Sequence, residues 1–227
     1  METRSDGNWV FAANEAEAAS LERSSFISKV YGLLSLSLLA AVAGATAGVA
    51  MGLGPKAYWW LAALEFVALF FAYSARHDEG KNLLALFAFT GTTGLSLSCL
   101  LTGLIKAGFG STVWLALALT FGIFVVLSLY VRVSGKDFSF MRGFLFTGLL
   151  VLCAAAVISV FFPGIFPFQG VVMASLGVIL FSGFILYDTS RILHKGTKDY
   201  IDATISLYLD LLNIFVDVLR LLVENAP

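Results

Sequence analysis

The chain has 227 residues, of which 59% are hydrophobic and only 13% are charged, and its formal net charge is -1. A soluble globular protein is nearer half apolar and a quarter charged, so a core of this size cannot bury the surplus of apolar side chains. This composition excludes a large soluble catalytic domain, and the lack of a basic surplus excludes nucleic-acid binding through a positive surface. We therefore predict an integral membrane protein embedded in the lipid bilayer.

The hydrophobic segments predict an all-α fold with one transmembrane domain of seven helices, residues 26–223, after a polar N-terminal tail, residues 1–25. The tail lacks the early apolar stretch of a cleaved signal peptide. Within it, Asn14 followed by Glu17 predicts the start of a short amphipathic helix that leads into the first span. Glycine- and proline-rich breakers separate several of the segments. The predicted spans are 26–51, 57–75, 82–105, 112–131, 143–162, 170–192 and 202–223.

Lysine and arginine fall mainly on one side of this topology. Eleven of the 14 lie in the tail and in the loops on the tail's side, while Lys56, Lys106 and Arg220 lie on the other side. Cytoplasmic loops carry the excess of these residues in membrane proteins. The bias predicts a cytoplasmic N-terminus and, with seven spans, a C-terminus outside.

The last predicted span carries its charged and polar residues on one face. Steps of three or four residues place them on a single stripe of an α-helix. A carboxylate at mid-membrane costs roughly 2.5–3.5 kcal/mol even on a lenient scale, so the stripe does not face lipid. Either the helix lies on the membrane surface or the other six surround it. Surface helices are usually rich in Lys and Arg, so the acidic stripe favours a buried, central helix. The stripe consists of Asp202, Ser206, Asp210, Asn213, Asp217, Arg220 and Glu224.

Two aspartates occur at matching depth in the last two predicted spans. Asp188 and Asp210 are about equally far from the short connection between these spans, roughly 10–12 Å below the cytoplasmic end. In an antiparallel pair they could meet, and two carboxyl groups in hydrogen-bonding range would then titrate in two separated steps. The alternatives are that the loop solvates Asp188 at its helix end and that Asp210 makes a structural hydrogen bond.

The second predicted span supplies further candidates. Glu65 lies mid-span and Arg76 at the cytoplasmic end, eleven residues away on the same helix face. From there Arg76 either reaches an Asp188–Asp210 pair or snorkels to the interface as an anchor. For Glu65 and Asp217, a structural hydrogen bond between helices is the alternative to a functional role, which intramembrane acids favour.

The sequence does not contain the residues of an enzymatic centre. Its two histidines, His77 and His194, lie near cytoplasmic loops, and a zinc hydrolase normally needs three good ligands. Serines in the spans have no mid-membrane histidine as a base. We therefore predict a protein that is not an enzyme.

Several segments resemble the Bax inhibitor-1 family, also known as the transmembrane Bax inhibitor motif proteins. They are residues 187–190 (YDTS), 199–201 (DYI) and 207–215 (LYLDLLNIF). Residues 88–91 (AFTG), the pair Ser139-Phe140, and the pattern of Ser190, Ile192, His194 and Gly196 look like the bacterial YccA branch. The resemblance extends over residues 23–222, and the motifs around Asp188 and in the last span are its most specific part.

The resemblance implies two layers of three helices around a central C-terminal helix. It implies a calcium leak that depends on pH, sensed by a pair of aspartates at Asp188 and Asp210 and latched by Arg76, with Glu65 as the acid of the second helix. Ser190 stands where many members have glutamine, whereas Asp210 is present, so the aspartate pair is intact.

The expected function is therefore a pH-sensitive, calcium-permeable leak channel that works as a monomer in a bacterial inner membrane. Glu65, Asn213 and Asp217 would line the ion path, and Asp188 and Asp210 would contact calcium transiently, since oxygen ligands suit this hard cation. No other cofactor is expected. The YccA branch implies an alternative, a membrane protein that modulates an FtsH-type AAA protease through its N-terminal tail, with no transport activity.

Overall fold

The computed structural model describes residues 6–78, 80–162, 169–195 and 199–226. A three-residue 3-10 turn, Ser139–Met141, precedes the fifth helix, and a π-helical turn, Arg191–Lys195, continues the sixth. The helices are α1 (Asp6–Ala50), α2 (Pro55–Ala75), α3 (Asn82–Lys106), α4 (Gly110–Ser134), α5 (Arg142–Phe161), α6 (Gln169–Ser190) and α7 (Tyr200–Glu224).

Six of these helices are long and apolar enough to cross a membrane. The seventh, α7, has 25 residues and is about 37 Å long at the usual rise per residue, which is also enough to span a bilayer. The predicted class, an all-α membrane protein with seven helices, is confirmed. The arrangement in two layers stays a prediction.

The first helix begins earlier than predicted. Helix α1 runs without a break from Asp6, so a start at Asn14 is wrong, and Asn14 and Glu17 are exposed positions inside the helix. The segment is rich in alanine, the strongest helix former, and this explains why it continues the first span as helix.

Helix α7 lies against several other helices. It packs most extensively on α6 and also contacts α4, α1 and α3. Its apolar face is buried in these contacts, with Ile205, Leu207 and Ile214 fully covered. This packing agrees with a buried helix and not with a helix on the membrane surface.

Glycines allow α1 and α3 to approach closely. A Cβ atom at Gly94 would overlap the carbonyl oxygen of Ala41, and one at Gly44 would overlap the carbonyl oxygen of Gly91. Small residues at such contacts are typical of packed membrane helices. The α1–α3 interface therefore forms a close-packed part of the bundle beside α7.

Candidate functional site

The polar stripe of α7 faces α6. The two helices are antiparallel, and their contacts keep one register along the interface. From the end where the chain connects the two helices, Asp202 binds Arg191, Asp210 meets Asp188, Asp217 lies on Gly177, and Glu224 lies on Gly170.

The structure brings Asp188 and Asp210 together. Each residue is only 5% exposed, and the two carboxyl groups lie within hydrogen-bonding reach of each other. Oδ2 of Asp210 is fully buried, and no hydrogen-bond donor of the described residues contacts it. Carboxylates only accept hydrogen bonds, so a bond between these two groups requires that they share one proton. The antiparallel helices therefore place two acids where their charges depend on each other.

Among the described residues, the cation beside this pair is Arg191. Its Nε lies 3.5 Å from Oδ1 of Asp188, and its Nη2 donates to Oδ2 of Asp202 at 3.1 Å. The π-helical turn that begins at Arg191 places this side chain between the two helices. Arg191 thus connects the buried pair to the first turn of α7. Its position three residues after Asp188 is a signal that sequence reasoning did not use.

Arg76 is not on the buried pair. Its Nε lies 3.3 Å from Oδ2 of Asp199, and the ring of His77 approaches the same oxygen at 3.5 Å. In this structure Arg76 therefore pairs with Asp199, and its expected role as a latch on Asp188 and Asp210 stays a prediction. Asp199 precedes Asp210 by eleven residues, about 16 Å along the helix, and this is farther than one arginine side chain bridges.

Asp199 also forms the N-cap of α7. Its Oδ1 accepts hydrogen bonds from the backbone N–H groups of Ile201 and Asp202, both at 3.0 Å. An aspartate at this position satisfies free N–H groups and matches the positive end of the helix dipole. Asp199 therefore couples the end of α2 to the start of α7. Its carboxylate was not among the predicted site residues, although aspartate before a helix is a known capping signal.

A second cluster missed by the sequence analysis surrounds Ser190, at the end of α6. The Ser190 hydroxyl accepts from the backbone N–H of Phe138 at 2.9 Å and lies 3.2 Å from Oδ1 of Asp137. His194 lies 3.4 Å from the same hydroxyl. These contacts fasten the connection between α4 and α5 to α6. The histidine does not lie between the serine and the aspartate, so the cluster lacks the arrangement of a catalytic triad.

Glu65 lies apart from the aspartate pair. It is half-buried on α2, and its carboxyl group interacts with the hydroxyls of Thr93 and Ser96 on α3. The nearby residue of α7 is Tyr208, which is two positions, or about 200°, from Asp210 around the helix. Glu65 and the pair are therefore on opposite faces of α7.

The other predicted path residues lie on the C-terminal half of α7. Asn213 is half-buried, and its Nδ2 donates to the carbonyl oxygen of Leu209 at 2.7 Å. Asp217 is half-buried too and interacts electrostatically with Arg220. Among the described residues there is no group of three or more His, Cys, Asp or Glu side chains that could hold a metal ion. Asp188 and Asp210 thus form a two-carboxylate site whose contact with calcium stays a prediction.

Known proteins match almost the whole chain. The model of the family described as "Inhibitor of apoptosis-promoting Bax1" matches residues 23–226. A membrane protein of Vibrio cholerae is 36% identical over 94% of this chain and 95% of its own. "Modulator of FtsH protease YccA" of Escherichia coli is 34% identical over 85% of this chain and 86% of its own. "Protein lifeguard 4" of the mouse is 35% identical over 88% and 85%. A match of this length to the family model, with relatives from bacteria and a mammal, shows that this chain belongs to the Bax inhibitor family.

Proposed function

We propose that this protein is a pH-sensitive leak channel permeable to calcium, in which the Asp188–Asp210 pair senses protons. The observation that supports the proposal most is the burial of two neighbouring carboxyl groups, each 5% exposed. Acids within membrane helices mark ion or proton pathways by default. Carboxylate oxygens also suit a hard cation, so calcium would contact the pair in passing.

The proton count of the pair supplies the gating step. One shared proton holds the two carboxyl groups together, a second proton neutralises them, and loss of the shared proton places two like charges side by side. Each gain or loss of a proton changes the electrostatic attraction between the pair and Arg191, which lies between Asp188 and Asp202. Protonation would thereby act on the junction of α6 and α7.

In this proposal, the contact that latches α2 to α7 is the ion pair between Arg76 and Asp199. Arg76 at the end of α2 binds Asp199 at the start of α7, so a movement of α7 would hold or release α2. Asn213 and Asp217 on α7, and Glu65 on α2, are the polar side chains at membrane depth that a cation path could use. In this proposal, the protein works as a monomer in the bacterial inner membrane, and its N-terminus is in the cytoplasm.

The test is calcium influx into proteoliposomes of the purified protein between about pH 5 and pH 8, a range that a perturbed carboxyl pair can reach. We expect a flux that depends on pH in the wild type and an altered profile in Asp210→Asn and in Asp188→Asn. Asp78→Asn, which changes an exposed loop acid, is the matched control and should keep the wild-type profile. A wild-type profile in the double variant Asp188→Asn/Asp210→Asn would refute the mechanism.

A second function is favoured by one relative and one structural feature. The relative from Escherichia coli is named a modulator of the FtsH protease. Helix α1 here extends well before its first span, and its residues 17–25 are exposed. We therefore propose, as the alternative, that the α1 extension binds an FtsH-type membrane protease. Deleting residues 1–20 should abolish co-purification with the protease and leave calcium flux unchanged.

A further inference from the structure

Two grooves on the surface of the helix bundle differ in charge. One of about 360 Å³ lies between α4 and α6, and it is lined by apolar side chains, Gly122 and Ser182. The other, of about 140 Å³, lies between the C-terminal halves of α3 and α7 and includes two charged residues. We call it the α3–α7 groove. Its lining residues are Leu100, Leu104, Val216, Leu219, Val223, Arg220 and Glu224.

The walls of the α3–α7 groove are aliphatic. They consist of two leucines of α3 and of three apolar side chains of α7, and Leu100 at the rim is 43% exposed. A cavity of about 150 Å³ with such a lining stays dry and binds small apolar molecules. Since α3 and α7 are both long enough to cross the bilayer, the groove opens towards lipid. Its walls therefore fit part of an acyl chain.

The charged residues of the groove lie at the C-terminal end of α7. Arg220 and Glu224 are both exposed and are one helical turn apart, so their side chains are neighbours on one face. Glu224 is the last residue of α7. A helix of 25 residues is about 37 Å long and exceeds the hydrocarbon core of roughly 30 Å, so its last turn reaches the level of the lipid head groups. The two charges are thus placed beside a head group.

The surroundings of these two residues favour a head group with both signs of charge. The carboxylate of Glu224 rests against Gly170 of α6, and Arg220 interacts electrostatically with Asp217. Within the described ranges, neither Arg220 nor Glu224 takes part in an ion pair. Two carboxylates against one guanidinium leave a net negative charge, which disfavours an anionic head group. A zwitterion would place its phosphate on the arginine and its cation on Glu224.

We propose that the α3–α7 groove binds a phospholipid with a phosphoethanolamine head group. The acyl chain lies along Leu100, Leu104 and Val216, the phosphate binds Arg220, and the ammonium group binds Glu224. A guanidinium suits the oxygens of a phosphate, and a primary ammonium donates up to three hydrogen bonds to a carboxylate. A choline head group has no N–H to donate, and a phosphoglycerol head group has no cation for Glu224. The proposal does not depend on calcium flux.

Competition between lipids tests the head group. The purified full chain in detergent is mixed with equal amounts of dioleoyl phosphatidylethanolamine, phosphatidylcholine and phosphatidylglycerol, and native mass spectrometry identifies the first lipid bound. We expect phosphatidylethanolamine to be preferred about tenfold over each of the others, the size of effect that one hydrogen bond to a charged group produces. Equal binding, or a preference for phosphatidylglycerol, would overturn the proposal.

Variants at exposed positions assign the preference to the groove. Glu224→Gln should bind phosphatidylethanolamine and phosphatidylcholine equally, whereas Arg220→Gln should weaken both by about tenfold. Lys56→Gln, which removes an exposed cation of α2 outside the groove, is the control for charge. Val126→Trp, at a 65% exposed position, occupies the α4–α6 groove and is the control for shape. Both controls should keep the wild-type preference. The proposal fails if they lose it, or if Glu224→Gln and Arg220→Gln keep it.

Crosslinking in the wild-type chain locates the lipid without any variant. A phosphatidylethanolamine with a photoreactive acyl chain, in vesicles of phosphatidylcholine, should react with peptides that contain Leu100 or Val216. Crosslinks spread evenly over the bundle, or confined to Leu119 and Val126 of α4, would show that the α3–α7 groove is not the site. A mass of two chains without lipid, with crosslinks absent from the groove, would identify a second copy as its occupant and would also refute the proposal.

Discussion

Glycines line two helix interfaces of this protein, and they face different partners in each. At the α1–α3 interface, Gly44 and Gly94 lie against backbone carbonyl groups. At the α6–α7 interface, Gly170 and Gly177 lie against carboxylate side chains. The first pattern brings two backbones as close as they can come, and the second makes room for charged groups within a membrane helix pair.

The two interfaces differ in what a larger residue in place of glycine would displace. A backbone atom cannot move away from a new methyl group without moving its helix, whereas a carboxylate at the end of a side chain can rotate. Substitutions at α1–α3 should therefore reduce stability, and substitutions at α6–α7 should change the position of a charge. Small-residue stripes read from sequence do not distinguish these cases, since both look like close packing.

The largest loss of unfolding free energy is expected for Gly94→Val. A Cβ at this position would overlap the carbonyl oxygen of Ala41 and crowd the backbone nitrogen of Ala45 at 2.9 Å. Overpacking that requires backbone shifts usually costs about 1–3 kcal/mol. Because the neighbours of Gly94 are backbone atoms, which cannot rotate away, we expect a loss of unfolding free energy at the upper end of this range or above it. Thermal unfolding in detergent measures it. Gly103→Val on the same helix is the control, because no atom lies within 4 Å of a Cβ there. Equal melting temperatures for the two variants would contradict the comparison.

An intermediate loss of unfolding free energy is expected for Gly48→Ala, because the neighbour of Gly48 is the buried side chain of Ser98. A Cβ there would overlap the Ser98 hydroxyl and lie 2.6 Å from the Ser98 Cβ. Ser98 is fully buried, so it cannot rotate away, and we expect a loss of about 1–3 kcal/mol of unfolding free energy. The double variant Gly48→Ala/Ser98→Gly should recover most of this loss. A double-mutant cycle of unfolding measures the coupling, and a coupling near zero would show that the two residues do not compete for space.

A smaller loss of unfolding free energy is expected for Gly170→Ala at the α6–α7 interface. The carboxylate of Glu224 would have to leave its place over Gly170, but Glu224 is exposed and can turn towards water. Gly170 is in the first turn of α6, so the loss is that of an anion near a helix N-terminus, about 0.3–1 kcal/mol. Thermal unfolding in detergent should show a smaller shift than for Gly48→Ala. A loss as large as that of Gly94→Val would show that the α6–α7 contact is packed as rigidly as the α1–α3 interface.

The sequence was sufficient for the number of helices and for the matching depth of Asp188 and Asp210, but not for the start of α1. Counting from the connection between the last two spans placed Asp188 and Asp210 at one level, because an antiparallel pair of regular helices fixes depth by residue number. The roles of these residues stay predictions. The partner of Arg76 was missed, since Asp199 lies in the connection and its position depends on how the chain turns there.

Contacts that depend on the rotation of each helix about its axis could not be predicted from the sequence either. The stripe of α7 was visible as a pattern, but nothing in the pattern says that Gly170 and Gly177 of α6 would face it. The place of Arg191 between Asp188 and Asp202 depends on the π-helical turn, which has no clear sequence signal.

The smallest effect is expected for the pair Asp78–Lys81, which shows how charges behave outside the membrane. Nζ of Lys81 lies 2.9 Å from Oδ2 of Asp78, and the backbone N–H of Gly80 donates to Oδ1 at 3.1 Å. The lysine and then this N–H lower the pKa of the Asp78 carboxyl below its usual value. A lowered pKa means that the contribution to stability is present above the unfolded value and is lost as the pH falls through the folded one.

Water and salt screen this exposed pair, so Asp78→Asn should leave the melting temperature in detergent unchanged at pH 7. A measurable drop that disappears in high salt would show that loop charges also hold this fold together. The same exchange of carboxylate for amide at Asp217 alters a half-buried group that faces a helix backbone, where water and salt screen the charge less. If both exchanges left unfolding and calcium flux unaltered, the acids of α7 would be no more important than the acids of the loops, and the distinction between the two glycine interfaces would lose its functional meaning.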